Sequence, residues 1–299
     1  MKKLINLVAG LAATALLCVA SASPSYATTT TFVSGGGSDG NTCSRLSPCA
    51  TIFRAIGFAG SGGVVSCLDE GPYFEGFVTT IPFTLDCRGV VYAVGSSFTL
   101  SVNAVVTFRH VIFDGAVGGI GVQIQGGKVV FEDCTFQNFT ASPGEAIQFA
   151  PSSGQARLFV TDSLIHNNGG VGIAAAVPAG VTGSVVLDNV RLENNLYGIA
   201  VTTGTSVVIN RSVVSGNSTA GVEGDGGSQI VVNNSTISHN GVGAQGTSSI
   251  RLSNNDIAFN NTAISGNTGT FGNNRFSGNG SPGTPLTPLG GASSDFGQQ

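Results

Sequence analysis

The sequence predicts an all-β fold: a single-stranded right-handed parallel β-helix (a solenoid) with a short capping helix at its N-terminal end. Three observations carry this. A phrase recurs from about residue 105 to 280, with an apolar residue followed by others at +2, +5 (small or polar in several copies) and +7, and then Asn at +10. The clearest copies read LFVTDSLIHNN, VVLDNVRLENN, VVINRSVVSGN, IVVNNSTISHN and IRLSNNDIAFN. The +7 residues Phe113, Phe136, Ile165, Leu192, Val214, Ile237, Ile257 and Phe276 follow one another at intervals of 19 to 29 residues. At that period each repeat is one unit that buries its apolar face only against its neighbours. Finally, Gly reaches 45 of 299 residues while apolar residues hold at 41%, the composition of a chain that turns often and still builds a core.

The chain opens with Lys2-Lys3, an apolar run from Leu4 to Ala20, and Ser-Tyr-Ala27. That is the layout of a secretory signal, and cleavage is expected near Ala27. The run is barely long enough for a transmembrane anchor and ends in small residues. Leu17 is too large for Cys18 to be a lipoprotein acceptor. The chain is therefore read as 1–27 signal peptide, 28–280 β-helix with an N-terminal cap at about 32–62, and 281–299 a flexible Pro/Gly/Ser-rich tail. Secretion to the periplasm or the outside of a bacterial cell follows, without stable membrane insertion. Charged residues make up 9% and the net charge is −4, which argues against nucleic acid and anionic membrane surfaces as partners.

Ala50–Ala59 (ATIFRAIGFA) carries apolar residues at helical spacing behind Pro48. It is expected to cover the open N-terminal end of the core, since a solenoid must shield its terminal apolar face. In the repeats, offsets 0 and +2 share one face of a strand, and +7 belongs to a second short strand. A Gly-apolar pair then marks a third: Gly121-Val122, Gly172-Ile173, Gly198-Ile199, Gly221-Val222 and Gly243-Ala244. Leucine-rich repeats have similar periods but need a helical segment, for which these Gly/Asn/Ser stretches are poor. A β-sandwich does not repeat one phrase in register.

Asn168, Asn195, Asn217, Asn240, Asn260 and Asn279 occupy +10. One coil apart they would stack at about 4.8 Å, forming a ladder of side-chain amides, and Asn217→Ala is expected to cost about 1–2 kcal/mol. Sugar-binding amides or glycosylated sequons are the functional alternative. In an oxidising compartment disulfides persist. Cys43 and Cys49 flank a short loop, and Cys67 and Cys87 lie one coil apart, so bridges 43–49 and 67–87 are expected. Cys134 falls at an inward +5 place and reads as a buried free thiol.

The segment from 32 to 87 carries Phe32-Val33-Ser34, Gly37-Ser38-Asp39, Asn41, Pro48-Cys49, Thr51, Ala55, Gly62-Gly63, Gly71 and Tyr73. In these residues, and in the repeats after them, the chain resembles the secreted right-handed parallel β-helix proteins of the pectate-lyase-like superfamily, over about residues 32–280. The resemblance implies the fold. The family contains lyases, hydrolases, epimerases and adhesins, so it does not settle activity.

Stacking the outward positions in register gives Arg109, Glu132, Thr161, Asp188 and Asn210 at +3, and His110, Asp133, Asp162, Asn189 and Arg211 at +4. Asp133, Asp162 and Asp188 are the candidate ligands of a Ca²⁺ ion, and no other cofactor is indicated. Arg109, Glu132 and Arg211 are the candidate catalytic groups. The resemblance implies that a cation beside a basic residue would stabilise the enolate formed when a uronate loses its C5 proton. A solvated mixed-charge face is the plainer reading. Insertions at Ala141–Gln155 and Ala174–Gly183 are placed to wall a groove. There is no Asp-Asp pair with a Gly-His-Gly loop, no P-loop, no GxSxG and no CxxC. The favoured function is a binding or structural role at envelope or extracellular polysaccharide, by a monomer that is not an enzyme. A polysaccharide lyase or related enzyme using the acidic face is the alternative, and a self-associating adhesin the third class.

Overall fold

The alternation of Val, Ile, Leu and Phe with polar residues gives strands whose partners lie one coil away. In the computed structural model, residues 29–289 are described except 94–97, 102, 104, 117, 203, 248 and 249. The expected signal segment, and residues 290–299 of the expected tail, lie outside the described residues. A typical coil has a long strand, a short strand and a third strand, such as Gln155–Thr161, Leu164–His166 and Val171–Ala175. The next coil repeats them as Thr182–Asp188, Arg191–Glu193 and Tyr197–Val201. Each pairs in parallel with its counterpart.

The register is the one the phrase dictates. Val160, Leu187, Ile209, Val232 and Leu252 form one inward column. Phe136, Ile165, Leu192, Val214, Ile237 and Ile257 form another. All are fully buried. Toward the N-terminal end the columns become aromatic. Phe131 stacks on Phe108 at 5.1 Å and meets Phe113 and Phe136 edge-on at 5.9 and 5.0 Å.

Two bends shape each coil. At +4 the backbone is left-handed in His110, Asp133, Asp162, Asn189, Arg211, Asn234, Asn254 and Asn273, with φ between 50° and 59°. At +9 it is left-handed again in Asn167, Asn194, Gly216, His239, Phe259 and Gly278. Asn, Asp and Gly tolerate this conformation best. After each bend a backbone N–H enters the apolar interior and needs an acceptor.

The +10 asparagines supply one. The N–H of Asn195 donates to Oδ1 of Asn217 at 3.1 Å, that of Asn217 to Asn240 at 3.0 Å, and that of Asn240 to Asn260 at 3.0 Å. Each Nδ2 also donates to the next Oδ1. The ladder is buried, Asn217 being 0% exposed, so the glycan and sugar readings fail there. A second ladder serves the +5 position. The N–H of Cys134 donates to Ser163 Oγ, Val190 to Ser212, Ser212 to Ser235, Ser235 to Asn255 Oδ1 and Asn255 to Asn274.

The glycine of each third strand is a steric requirement. A Cβ on Gly198 would lie 2.5 Å from the carbonyl oxygen of Gly221, and one on Gly172 2.6 Å from that of Gly198. The next coil presses its backbone against this column.

The helix α1 (Ile52–Ala59) buries Ile52, Ala55, Ile56 and Ala59 against the first coil. Thr51 Oγ1 accepts the N–H of Arg54 at 3.2 Å. The Glu75 carboxylate accepts the N–H groups of Ile52 and Phe53, which fastens the cap to the solenoid. Burial still pushes Glu75 up to about 7. Both expected disulfides form, Cys43–Cys49 and Cys67–Cys87. Cys67→Ser should lower stability by about 3 kcal/mol, the usual size for a loop of this length, read from the denaturation midpoint. Cys87 is 1% exposed, so the freed thiol should label only after unfolding, and labelling in the native state would show that the coil opens.

The other end differs from expectation. Ser281–Gly283 and Thr287–Pro288 are strands paired with Thr262–Ser265 and Thr268–Gly272. The chain from 281 to 289 therefore adds a last turn to the solenoid. Phe276, expected inside, is 43% exposed, because its strand has a paired neighbour on only one side. Pro282 and Pro288 lie in these terminal strands and offer no N–H to an incoming strand.

Candidate functional site

The long strands point alternate side chains outward, so their exposed face is a set of columns running along the solenoid. On the +3 column, Arg109 Nε donates to Glu132 at 2.6 Å. One coil beyond Thr161, Asp188 accepts from Asn210 Nδ2 at 3.2 Å and from the guanidinium of Arg211. On the +4 column, His110 Nδ1 meets Asp86 at 2.9 Å, and its Nε2 lies 3.9 Å from Asp133. Asp162 accepts from Asn189 Nδ2 at 2.6 Å. The candidate residues therefore share one face, as the register requires, but each is engaged by a side chain one coil away.

The geometry does not suit a shared cation. Asp133 and Asp162 sit at the left-handed +4 bend, while Asp188 belongs to the neighbouring column, where Arg211 already balances it. Among the described residues no three His, Cys, Asp or Glu side chains gather as metal ligands. The described side chains thus bring together no set of three such donors for the Ca²⁺ ion suggested by the register, and no chemical step is derived through it. The two candidate arginines each hold a carboxylate, Arg109 that of Glu132 and Arg211 that of Asp188. Burial pushes the Cys134 thiol up to about 12, so it is no nucleophile near neutral pH.

Beside these columns lies an apolar one. Val130, Phe159, Val186, Val208 and Val231 are in register at +1 on five successive coils, all outward and partly or well exposed. The signal was in the phrase itself, because +1 is apolar in LFV, VVL, VVI and IVV. On one side the stripe is flanked by Glu132, Thr161, Asp188, Asn210 and Asn233. On the other stand Lys128, Arg157, Ser184, Ser206 and Gln229. Gln155, at the end of the first insertion, borders a hollow of about 240 Å³ together with Lys128 and Arg157.

The model of the right-handed β-helix region family matches residues 89–257 and 179–292. The chain belongs to this family. Its fold is that of the family, a parallel solenoid whose coils are the repeats of the sequence. No curated protein matches the chain in sequence. Among solved structures it is similar to pectate lyase Pel9A, with 15% identity, TM-score 0.48 and coverage of 82% of this chain and 78% of that one. It is similar to the A-module of the mannuronan C-5 epimerase AlgE4 of Azotobacter vinelandii, with 15% identity, TM-score 0.42 and coverage of 78% and 91%. A rhamnogalacturonan lyase follows at 12% identity, TM-score 0.44 and coverage of 80% and 75%. These likenesses are of fold alone.

Proposed function

We propose that the protein binds an extracellular or envelope polysaccharide along the outer face of its long strands, as a monomer in a non-catalytic role. The carrying observation is the outward apolar stripe Val130–Phe159–Val186–Val208–Val231, partly exposed along its length and most open at Val208, between two polar columns. Its side chains recur at the strand spacing of about 4.8 Å. Sugar rings offer an apolar face and a hydroxyl edge, and this surface offers an apolar strip with hydrogen-bonding side chains on both sides. Contiguous outward apolar surface rimmed by polar side chains is what interaction sites present. A polymer matches it better than a small ligand, since the stripe is long and open rather than concave.

The test is binding of the secreted form to a panel of polysaccharides, measured by calorimetry. Val208→Asp should weaken binding at least roughly tenfold, because it places a charge on a desolvated contact, and should leave the melting temperature in place because Val208 is 40% exposed. Unchanged affinity in that variant would remove the stripe from the site. New absorbance from unsaturated uronates during the same incubations would favour a lyase instead.

A further inference from the structure

The outer face is not electrically symmetric. The protein carries a net charge of −4, yet Lys128 and Arg157 stand directly opposite each other on adjacent strands. Like charges in that relation repel. Elsewhere on the solenoid Arg109 is paired with Glu132, Arg191 with Glu193, Arg211 with Asp188 and Arg275 with Asp256; among the described residues Arg88 and Arg251 have no ion pair, and Arg251 faces Val231 and Gly269 on its neighbouring strands rather than a second cation. Among the described residues no carboxylate lies within ion-pair distance of Lys128 or Arg157, and none lines the hollow between them. Lys128 is held in place, its Nζ lying 4.9 Å from the centroid of the Phe159 ring. Asn103 and Gln155 also line the hollow.

We propose that Lys128 and Arg157 form an anion subsite that takes one acidic group of a polysaccharide lying on the adjacent stripe, which makes the ligand an acidic rather than a neutral glycan. This rests on the polysaccharide-binding reading and adds a polarity to it. The acidic groups face the Lys128–Arg157 flank, away from Glu132 and Asp188. Phe159 belongs to both parts, supplying an apolar contact to the sugar and a face for the Lys128 ammonium. Two cations one strand apart, with amides beside them, can share the oxygens of one carboxylate or sulfate ester through charge-assisted hydrogen bonds.

The experiment uses the secreted protein and three probes: polygalacturonate, dextran sulfate and uncharged dextran. Lys128→Gln, Arg157→Gln and the double variant are compared with Arg54→Gln, which makes the same charge change on the capping helix, where Arg54 lies over Phe58. The wild type should bind an anionic probe, with affinity falling as salt rises. Each single variant should lose roughly tenfold, and the double variant should fall to the level of dextran. Arg54→Gln should behave as wild type, and melting temperatures should hold or rise as the repulsion is relieved. The losses on polygalacturonate would assign the subsite to carboxylates, and the same losses on dextran sulfate alone to sulfate esters; either supports the site. Equal losses in Arg54→Gln, or unchanged affinity in the double variant, would overturn it. Dextran binding that is weakened by Val208→Asp and untouched by the double variant would overturn the subsite and leave the stripe standing. No binding to any polysaccharide would overturn both.

Discussion

Phe131→Ala is expected to lower stability by about 3–5 kcal/mol, the range for removing a fully buried phenylalanine. Phe131 is 0% exposed and sits where two inward columns meet, with Phe108 above it and Phe113 and Phe136 beside it. Stacked coils hold this interior from both sides, so the cavity cannot close by moving a loop. The measurement is chemical denaturation of the disulfide-intact protein, with Phe276→Ala as the control. Phe276 is 43% exposed on the last short strand, and its loss should stay under about 1 kcal/mol. A solenoid can unfold in segments, so the Phe131→Ala transition should also be watched for an early phase from the N-terminal coils. Equal losses at the two positions would mean that the aromatic columns are not packed as described.

Asn217→Ala is expected to cost about 2–4 kcal/mol, more than the ladder expected from sequence would suggest. The side chain makes four hydrogen bonds. Its Oδ1 accepts the N–H and the Nδ2 of Asn195 at 3.1 and 3.2 Å. Its Nδ2 donates to Leu192 O at 3.0 Å and Asn240 Oδ1 at 2.9 Å. Truncation leaves the backbone N–H of Asn195 in the core without its acceptor, and unsatisfied buried groups cost about 1–3 kcal/mol each. Asn261→Ala, at an exposed position in the following turn, should stay within about 0.5 kcal/mol. Comparable losses at 217 and 261 would reduce the ladder to a solvated row.

Much of this was legible in the chain because a solenoid writes its register into its repeat. Once the +2 and +7 residues are aligned, every column is known, and Leu187, Ile209, Val232 and Leu252 fall inside as the phrase requires. The +10 asparagines were legible for the same reason. The +5 ladder was missed although Ser163, Ser212, Ser235, Asn255 and Asn274 recur there. A serine at an inward place reads as a small filler until the left-handed residue before it is known to send a backbone N–H inward. The same bend accounts for the acidic column. Asp133 and Asp162 suit a +4 position with φ of 51°, and that backbone demand, rather than a metal, is enough to place Asp or Asn there.

The repeat alone places the strand columns and the residues that share a face, because side chains alternate along a strand and each strand pairs one coil away; the cap is legible separately, from apolar residues at helical spacing behind Pro48. How the side chains on that face are engaged is a matter of three-dimensional packing. Register brings Arg109 to Glu132 and Arg211 to Asp188, but whether a guanidinium reaches a carboxylate or leaves it for a cation depends on side-chain paths over a bend. The same packing leaves Lys128 and Arg157 without a carboxylate beside the apolar stripe, since an unbalanced charge is a property of everything within a few ångströms and not of any position in the repeat.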